Sequence, residues 1–304
     1  MLKSNRPKFG VLHYSYAGLQ DQVVAKVGHA SVNLGDYMQT LAVRGLYRRM
    51  GIADDDVVAI DRDTIQSYQG EPVILVMNAC FFRHSFPISD KIVPVFIGFQ
   101  TQEKIIVEFT NYFRQYAPIG CRDTATCALF EKHGIAAFVT GCLTLTFESR
   151  PDLRSRNKIV VAYGSGAGAF PVEALASMPA ELGKNAEFVF QRQIVQEWPF
   201  SAETMRKNER FTSHLLNYYR EEAALVVTPL HHAAAPCMAS GIPVVLCRKK
   251  ADPRFGYLSS LITVHIAPNF SAIDWLAKPV DISEVKVKLM ETAISSVSAA
   301  RALH

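Results

Sequence analysis

Short apolar, β-branched runs alternate along this chain with stretches of helical periodicity, and that alternation limits the fold more tightly than any other feature. In the first half the extended runs are "FGVLHYS", "VVAI", "VILVMN", "VPVFIGF", "PIGC" and "AAFVTGCLTLTF"; between them lie "GDYMQTLAVRGLYRRMG", "KIIVEFTNYFRQYA" and "TATCALFEKHG". A strand that is apolar on both faces must be covered on both, and intervening helices provide that cover, so the pattern predicts an α/β fold built on parallel sheets. The helix expected over about 37–50 carries Met38, Leu41, Ala42, Leu46 and Met50 on one stripe and ends at Gly51. The helix expected from Thr124 ends in the same way at Gly134, just after Lys132 and His133.

Residues 148–157, "ESRPDLRSRN", are polar, contain a proline and separate two apolar runs, as a linker does. Beyond them the alternation restarts with "KIVVAYG", a helix over "PVEALASMPAEL", a strand at "AEFVFQR" and a helix over about 201–222. "ALVVT", "IPVVLC", "ITVHIA" and a closing helix from about Ile282 complete it. A chain of 304 residues is long for a single core. The expected architecture is therefore two Rossmann-like, doubly wound domains, 1–150 and 151–304, facing across a cleft in a GT-B-like manner.

Composition narrows the function classes. The formal charge of +4 comes from 32 basic and 28 acidic residues that are scattered along the chain. Short groups such as Arg48-Arg49 and Arg248-Lys249-Lys250 read as solvated faces, so nucleic acid is not an expected partner. Cys80, Cys121, Cys127, Cys142, Cys237 and Cys247 lie in apolar text without C-x-x-C pairs and read as buried free thiols of a reducing compartment. The start, "MLKSNRPKFGVLHYS", has no apolar h-region, and no run of about 18 apolar residues occurs. A cytoplasmic protein is expected.

In open α/β sheets ligands bind beyond the carboxyl ends of strands, where free N–H groups at helix N-termini favour anions. Four loops place polar residues there. In "HASVNLGDYMQT", Asp36 reads as a helix N-cap, or else as a base beside a turn shaped by Asn33 and Gly35. In "GCRDTATCALF", Arg122 is placed to grip a carboxylate or phosphate and Asp123 to cap the helix or take a proton. The glycine-rich "AYGSGAGAF" follows a strand but lacks the P-loop pattern and a ribose-binding signal, so it reads as a close-approach loop or a plain turn. In "VVTPLHHAAAPCMASGIPVVLC", His231 and His232 open a small-residue helix. Adjacent histidines with no H-x-x-x-H or cysteine partner argue against zinc, and no G-x-S-x-G hydrolase motif is present.

Together the loops resemble the polysaccharide pyruvyl transferase family. The likeness runs over nearly the whole chain and is densest in "NLGDYMQTLA", "YAPIGCRDTATCALFEKHGIAAFVTGCLTLTF" and "HAAAPCMASGIPVV". It implies a transferase that moves a pyruvyl group from phosphoenolpyruvate onto a sugar of a lipid-linked or nascent polysaccharide, usually as a ketal. The donor carries the reactive group, so neither cofactor nor metal is implied, and the enzyme would work in the cytoplasm or at the inner face of the membrane. Family members commonly carry R-L-H where this chain has Leu230-His231-His232. Register from Gly241 and Pro243 puts the catalytic histidine on His232 and leaves Leu230 in place of the arginine. The resemblance further implies that Arg122 and Arg254 hold the donor's charge, with His231 assisting when protonated, and that Asp36 or Asp123 accepts a hydroxyl proton. A nucleotide-sugar glycosyltransferase, and a degenerate binding subunit of a polysaccharide assembly complex, are the alternatives. The first is suggested by "GSGAG" and the second by Leu230.

Overall fold

The computed structural model describes residues 7–150, 156–195 and 197–303. The first parallel sheet is ordered β3-β1-β4-β5, formed by β1 (Lys8–His13), β3 (Val57–Asp61), β4 (Val73–Val76) and β5 (Ile92–Val95). Isolated parallel bridges, Cys80 with Gln100 and Phe99 with Cys121, lead on to a parallel pair made of β6 (Ile119–Cys121) and β7 (Ala137–Val139). The second sheet is also parallel, ordered β13-β12-β11-β8-β9. Its strands are β8 (Lys158–Tyr163), β9 (Ala186–Phe190), β11 (Ala223–Thr228), β12 (Val244–Arg248) and β13 (Val264–Ile266). The chain is thus a mixed α/β protein on parallel sheets, as the two-faced apolar runs require; all four residues of β4, "VILV", are buried.

One connection was not visible in the sequence. Strand β2 (Ser31–Asn33) pairs antiparallel with β10 (Arg192–Ile194), setting Asn33 opposite Arg192 and tying text before the expected linker to text after it. Residues 151–155 of that linker lie outside the described residues.

The helix Leu34–Arg49 begins three residues earlier than its stripe suggests, because Asn33 is its N-cap and accepts the Gly35 N–H. Met38, Ala42 and Leu46 are buried as expected, and Tyr37, Thr40, Val43 and Tyr47 are buried too. The helix is enclosed on two sides. Thr40 and Tyr47 donate their hydroxyls to the carbonyls of Leu12 and Gly10 in β1, while the helix Ala202–Glu222 packs against it from outside. Gly51, at φ 70°, ends it where the glycine was expected to. The "PVEALASMPAEL" stretch is not one helix: a 3-10 turn over Val172–Ser177 stops before Pro179, and a single α turn follows over Ala180–Gly183.

The helix His231–Ala239 is almost entirely buried between the Leu34–Arg49 helix and the turn Leu143–Thr146. Its run of alanines allows that close packing. A large side chain on this helix would overpack the junction that fixes His232.

Candidate active site

The carboxyl ends of β1, β3, β6, β8, β11 and β12 converge on one cavity of about 420 Å³. The residues that follow those strands line it: Tyr16, Arg62, Arg122, Gly164, Leu230 and, as the last residue of β12, Arg248 itself. This is where a doubly wound sheet leaves backbone donors and loop side chains free for a ligand.

His232 lies at the cavity floor, 9% exposed. Its imidazole is held on two sides and its backbone by a third contact. A Cβ placed on Gly35 would sit 2.8 Å from both Cβ and Nδ1 of His232, so only glycine leaves room for the ring. On the other side Nε2 lies 3.7 Å from the Cys142 thiol, which is also 3.6 Å from Asn78 Oδ1. The His232 carbonyl accepts from Gln191 Nε2, and Gln191 Oε1 accepts from the Tyr219 hydroxyl. Burial first, then the guanidiniums of Arg122 and Arg254, push the His232 pKa down to about 3, so the ring is neutral across the physiological range. His231, its ring 4.8 Å away, is driven well below the usual histidine range by burial, His232 and Arg122. It supplies no positive charge at neutral pH, and the cations must come from elsewhere.

They are abundant. Among the described residues Lys26, Arg62, Arg122, Arg192, Arg248 and Arg254 all line the cavity, against one lining carboxylate, Asp36. Arg122 donates to Gln100 Oε1 and faces the Asp123 carboxylate at 3.7 Å. Arg248 donates to the Pro229 carbonyl, stacks on Phe255 and shares Asp252 with Arg254. Two guanidiniums on one carboxylate leave a net positive charge beside Leu230. Leu230 itself turns to the glycine-rich loop, its Cδ2 lying 2.7 Å from where a Cβ on Gly168 would stand.

The opposite wall carries Tyr16, Asn33 and Asp36. Asp36 accepts from the Tyr16 hydroxyl at 2.6 Å and from Asn33 Nδ2 at 3.0 Å, and burial lifts its carboxyl above the usual range. Because Asn33 is the cap, the Asp36 side chain is free to face the cavity. Tyr16 adopts φ 59°, in the left-handed region that a tyrosine rarely enters. Asp63 accepts the Tyr16 N–H at 2.8 Å, which pins that backbone.

Of the residues singled out in the sequence, Asn33, Asp36, Arg122, His231, His232 and Arg254 line this one cavity. Gly35 and Asp123 stand behind it. Gly35 makes space for His232, whereas Asp123 is fully buried and caps the helix Thr124–Lys132, accepting from the Thr126 N–H and hydroxyl with one oxygen. Sequence reading missed Tyr16, Arg62, Arg192 and Arg248. The expectation that Arg248 is solvated fails, since it is 7% exposed and only Lys249 and Lys250 of that group face water. The rule that flagged Arg122, a polar residue just past a strand, would have found Tyr16, Arg62 and Arg248 had it been applied to β1, β3 and β12. Arg192 depended on the unforeseen β2–β10 pairing.

Among the described residues no group of three or more His, Cys, Asp or Glu side chains gathers to hold a metal. All six cysteines are free thiols. No described helix is long and apolar enough to cross a membrane.

A parallel α/β protein that gathers guanidiniums and a buried neutral histidine at its strand ends has a cavity whose charge favours an anionic ligand. More particularly, residues 33–248 match the model of the polysaccharide pyruvyl transferase family, and the chain belongs to that family. Among solved structures, a protein of Klebsiella pneumoniae subsp. pneumoniae described as uncharacterized is similar at 13% identity. That match covers 86% of this chain and 92% of the other, with TM-score 0.49. The accessory secretory protein 1, 2 and 3 structure of Streptococcus pneumoniae matches at 11% identity over 77% of this chain and 51% of its own, with TM-score 0.37. WaaG, a glycosyltransferase involved in lipopolysaccharide biosynthesis, matches at 12% over 86% and 75%, with TM-score 0.32. No curated protein sequence matches the chain.

Gly35→Ala is expected to displace the His232 ring while leaving its chemistry in place. A shift near 1 Å costs on the order of 100-fold in rate, and overpacking costs about 1–3 kcal/mol of stability. Steady-state kinetics and denaturant unfolding of the same variant separate the two effects.

Proposed function

We propose that the protein transfers a pyruvyl group from phosphoenolpyruvate to hydroxyls of a polysaccharide sugar, as a ketal, with release of phosphate. One observation carries this reading: a neutral, buried His232 sits among Arg122, Arg248 and Arg254 in a cavity whose lining has six cations and one carboxylate. A donor bearing both a phosphate and a carboxylate matches that excess of charge. An uncharged sugar alone does not.

The reaction makes definite demands. The donor methylene carbon takes a proton, and positive charge builds at the neighbouring carbon. A sugar oxygen bonds to that carbon in the same addition, so the proton its hydroxyl gives up is the one the methylene carbon receives; the bond to the phosphate oxygen then breaks and a second sugar oxygen closes the ketal. Of the two hydroxyl protons lost, one balances the proton gained by the methyl group and the other leaves with phosphate. A histidine that is neutral in the free protein is prepared to accept the proton of the attacking hydroxyl, which makes His232 the base. Arg122 and Arg254, the two cations that depress its pKa, would be neutralised by the bound donor. His232 then holds the accepted proton more firmly, and can return it to the methylene carbon. Asp36, with Tyr16 and Asn33, orients the sugar hydroxyls.

The protein incubated with phosphoenolpyruvate and a candidate glycan should release phosphate and add pyruvyl mass to the glycan in equal amounts. Release of phosphate without a pyruvylated product contradicts transfer. Arg122→Ala should weaken donor use by about 10-fold to 100-fold, the loss typical of a charge-assisted contact. Arg122→Lys should recover only part of it, since one ammonium cannot replace a two-pronged guanidinium.

The glycine-rich loop motivates a second reading, because Gly164, Ser165, Ala167 and Gly168 line the same cavity. A nucleotide-sugar glycosyltransferase would place a diphosphate there. Saturable binding of a nucleoside diphosphate with none of phosphoenolpyruvate decides in its favour.

A further inference from the structure

Five of the six cavity cations are already engaged. Arg62 bonds Asp63, Arg122 bonds Gln100, Arg192 donates to the Ser31 hydroxyl and carbonyl, and Arg248 and Arg254 share Asp252. The Lys26 side chain alone has neither hydrogen bond nor ion pair among the described residues, although it lines the same cavity. It rides on the helix Gln20–Val27, no residue of which is buried. Gly18 and Gly28 bracket that helix at φ 72° and 83°, each with open space where a side chain would be.

The helix also reaches the glycine-rich loop on the far side of the cavity. A Cβ on Gly166 would come within 2.8 Å of the Lys26 carbonyl oxygen, and His29 Nε2 lies 2.9 Å from the Ser165 hydroxyl. A helix with no buried residue, free-turning residues at both ends, a polar latch to the opposite loop and one uncommitted cation has the parts of a lid. Closing it would exclude water from the cavity, and an ammonium worth little in solvent gains strength against an anion once water is gone.

We propose that the Gln20–Val27 helix is a hinged gate over the cavity and that Lys26 is the residue it sets against the anionic group of the donor. The contact rests on the pyruvyl-transfer reading of the site; the hinge does not. The test pairs calorimetric titration of phosphoenolpyruvate into the unaltered protein, Lys26→Gln and Lys26→Arg with hydrogen exchange over residues 18–28. Expected are about tenfold weaker binding in Lys26→Gln, affinity within about threefold of the parent in Lys26→Arg, and slower exchange of 18–28 when the parent is saturated. Lys26 is exposed, so both variants should unfold as the parent does. Unchanged affinity in Lys26→Gln, or exchange that ignores the ligand, overturns the proposal. Should the parent bind only a nucleoside diphosphate, the pyruvyl reading falls and the same exchange measurement with that nucleotide decides the gate. Binding of neither sinks both.

Discussion

His232→Asn should lower pyruvyl transfer by about 10²- to 10⁴-fold, the contribution of a positioned acid–base group, while the protein unfolds near the parent's midpoint. The ring has no duplicate. His231 beside it packs edge to face on Phe255, whereas His232 is the more buried of the two and is fixed by Gly35, by the Cys142 thiol and by the bond to its carbonyl from Gln191. The charge state of His232 gives a second readout. Its pKa near 3 in the free protein means that His232 adds no ionisation near the ordinary histidine value of about 6.5 to the pH profile of kcat/KM, where the donor phosphate's own ionisation, about 6, should be matched by a titration of the free donor. Titration of the His232 ring by NMR should show a midpoint far below that of an exposed histidine. Saturation with phosphoenolpyruvate should raise it, because the donor's negative charge offsets Arg122 and Arg254. Full activity in His232→Asn would remove the role assigned to this residue.

Arg62→Ala should cost stability on the scale of breaking a buried ion pair, about 3–5 kcal/mol at neutral pH. Arg62 is 2% exposed, its Nε donates to Asp63 Oδ1 at 2.8 Å, and the guanidinium stacks on Tyr14 at 4.8 Å and on Phe82 at 4.9 Å. Removing it strands Asp63. Burial pushes the Asp63 pKa up, but Arg62, His84 and the Tyr16 N–H outweigh burial and hold the carboxyl below its ordinary range. A depressed folded-state pKa contributes stability above the unfolded value of about 3.9 and loses it as the pH falls through the folded value. In the variant only His84 and the Tyr16 N–H still oppose burial, so the carboxyl pKa rises. The deficit should therefore be largest at neutral pH and shrink as the pH approaches 4, as read by urea unfolding at both. An equal deficit at both pH values would mean that lost stacking, not the stranded charge, accounts for the cost. Because Asp63 also pins the left-handed Tyr16, this variant should weaken the Tyr16–Asp36 bond and reduce activity beyond its effect on folding.

The parallel α/β framework was legible because β-branched runs such as "VILV" are buried on both faces and cannot be mistaken for half-exposed strands. Helix ends marked by Gly51 and Gly134 were legible for the same local reason, a left-handed residue that only glycine adopts cheaply. Local rules were silent where the structure depends on distant partners. The pairing of Ser31–Asn33 with Arg192–Ile194 joins short strands more than 150 residues apart, and neither carries a period of its own. The burial of Arg248 in a run of three cations followed from its place at the end of β12 beside Pro229, which its charge alone gave no reason to expect. The role of Gly35 emerged only when His232, nearly 200 residues later, was found against it. Arg248 and Arg254 likewise reach the neighbourhood of Leu230 from the next strand and its loop, where they share Asp252.

The most direct test of the central claim is a crystal structure of the protein soaked with phosphoenolpyruvate. The account predicts the donor in the strand-end cavity, its phosphate and carboxylate on Arg122, Arg248 and Arg254, and its methylene carbon next to the His232 ring. A donor bound elsewhere, or a cavity that stays empty of phosphoenolpyruvate yet takes a nucleoside diphosphate against residues 164–168, would contradict it.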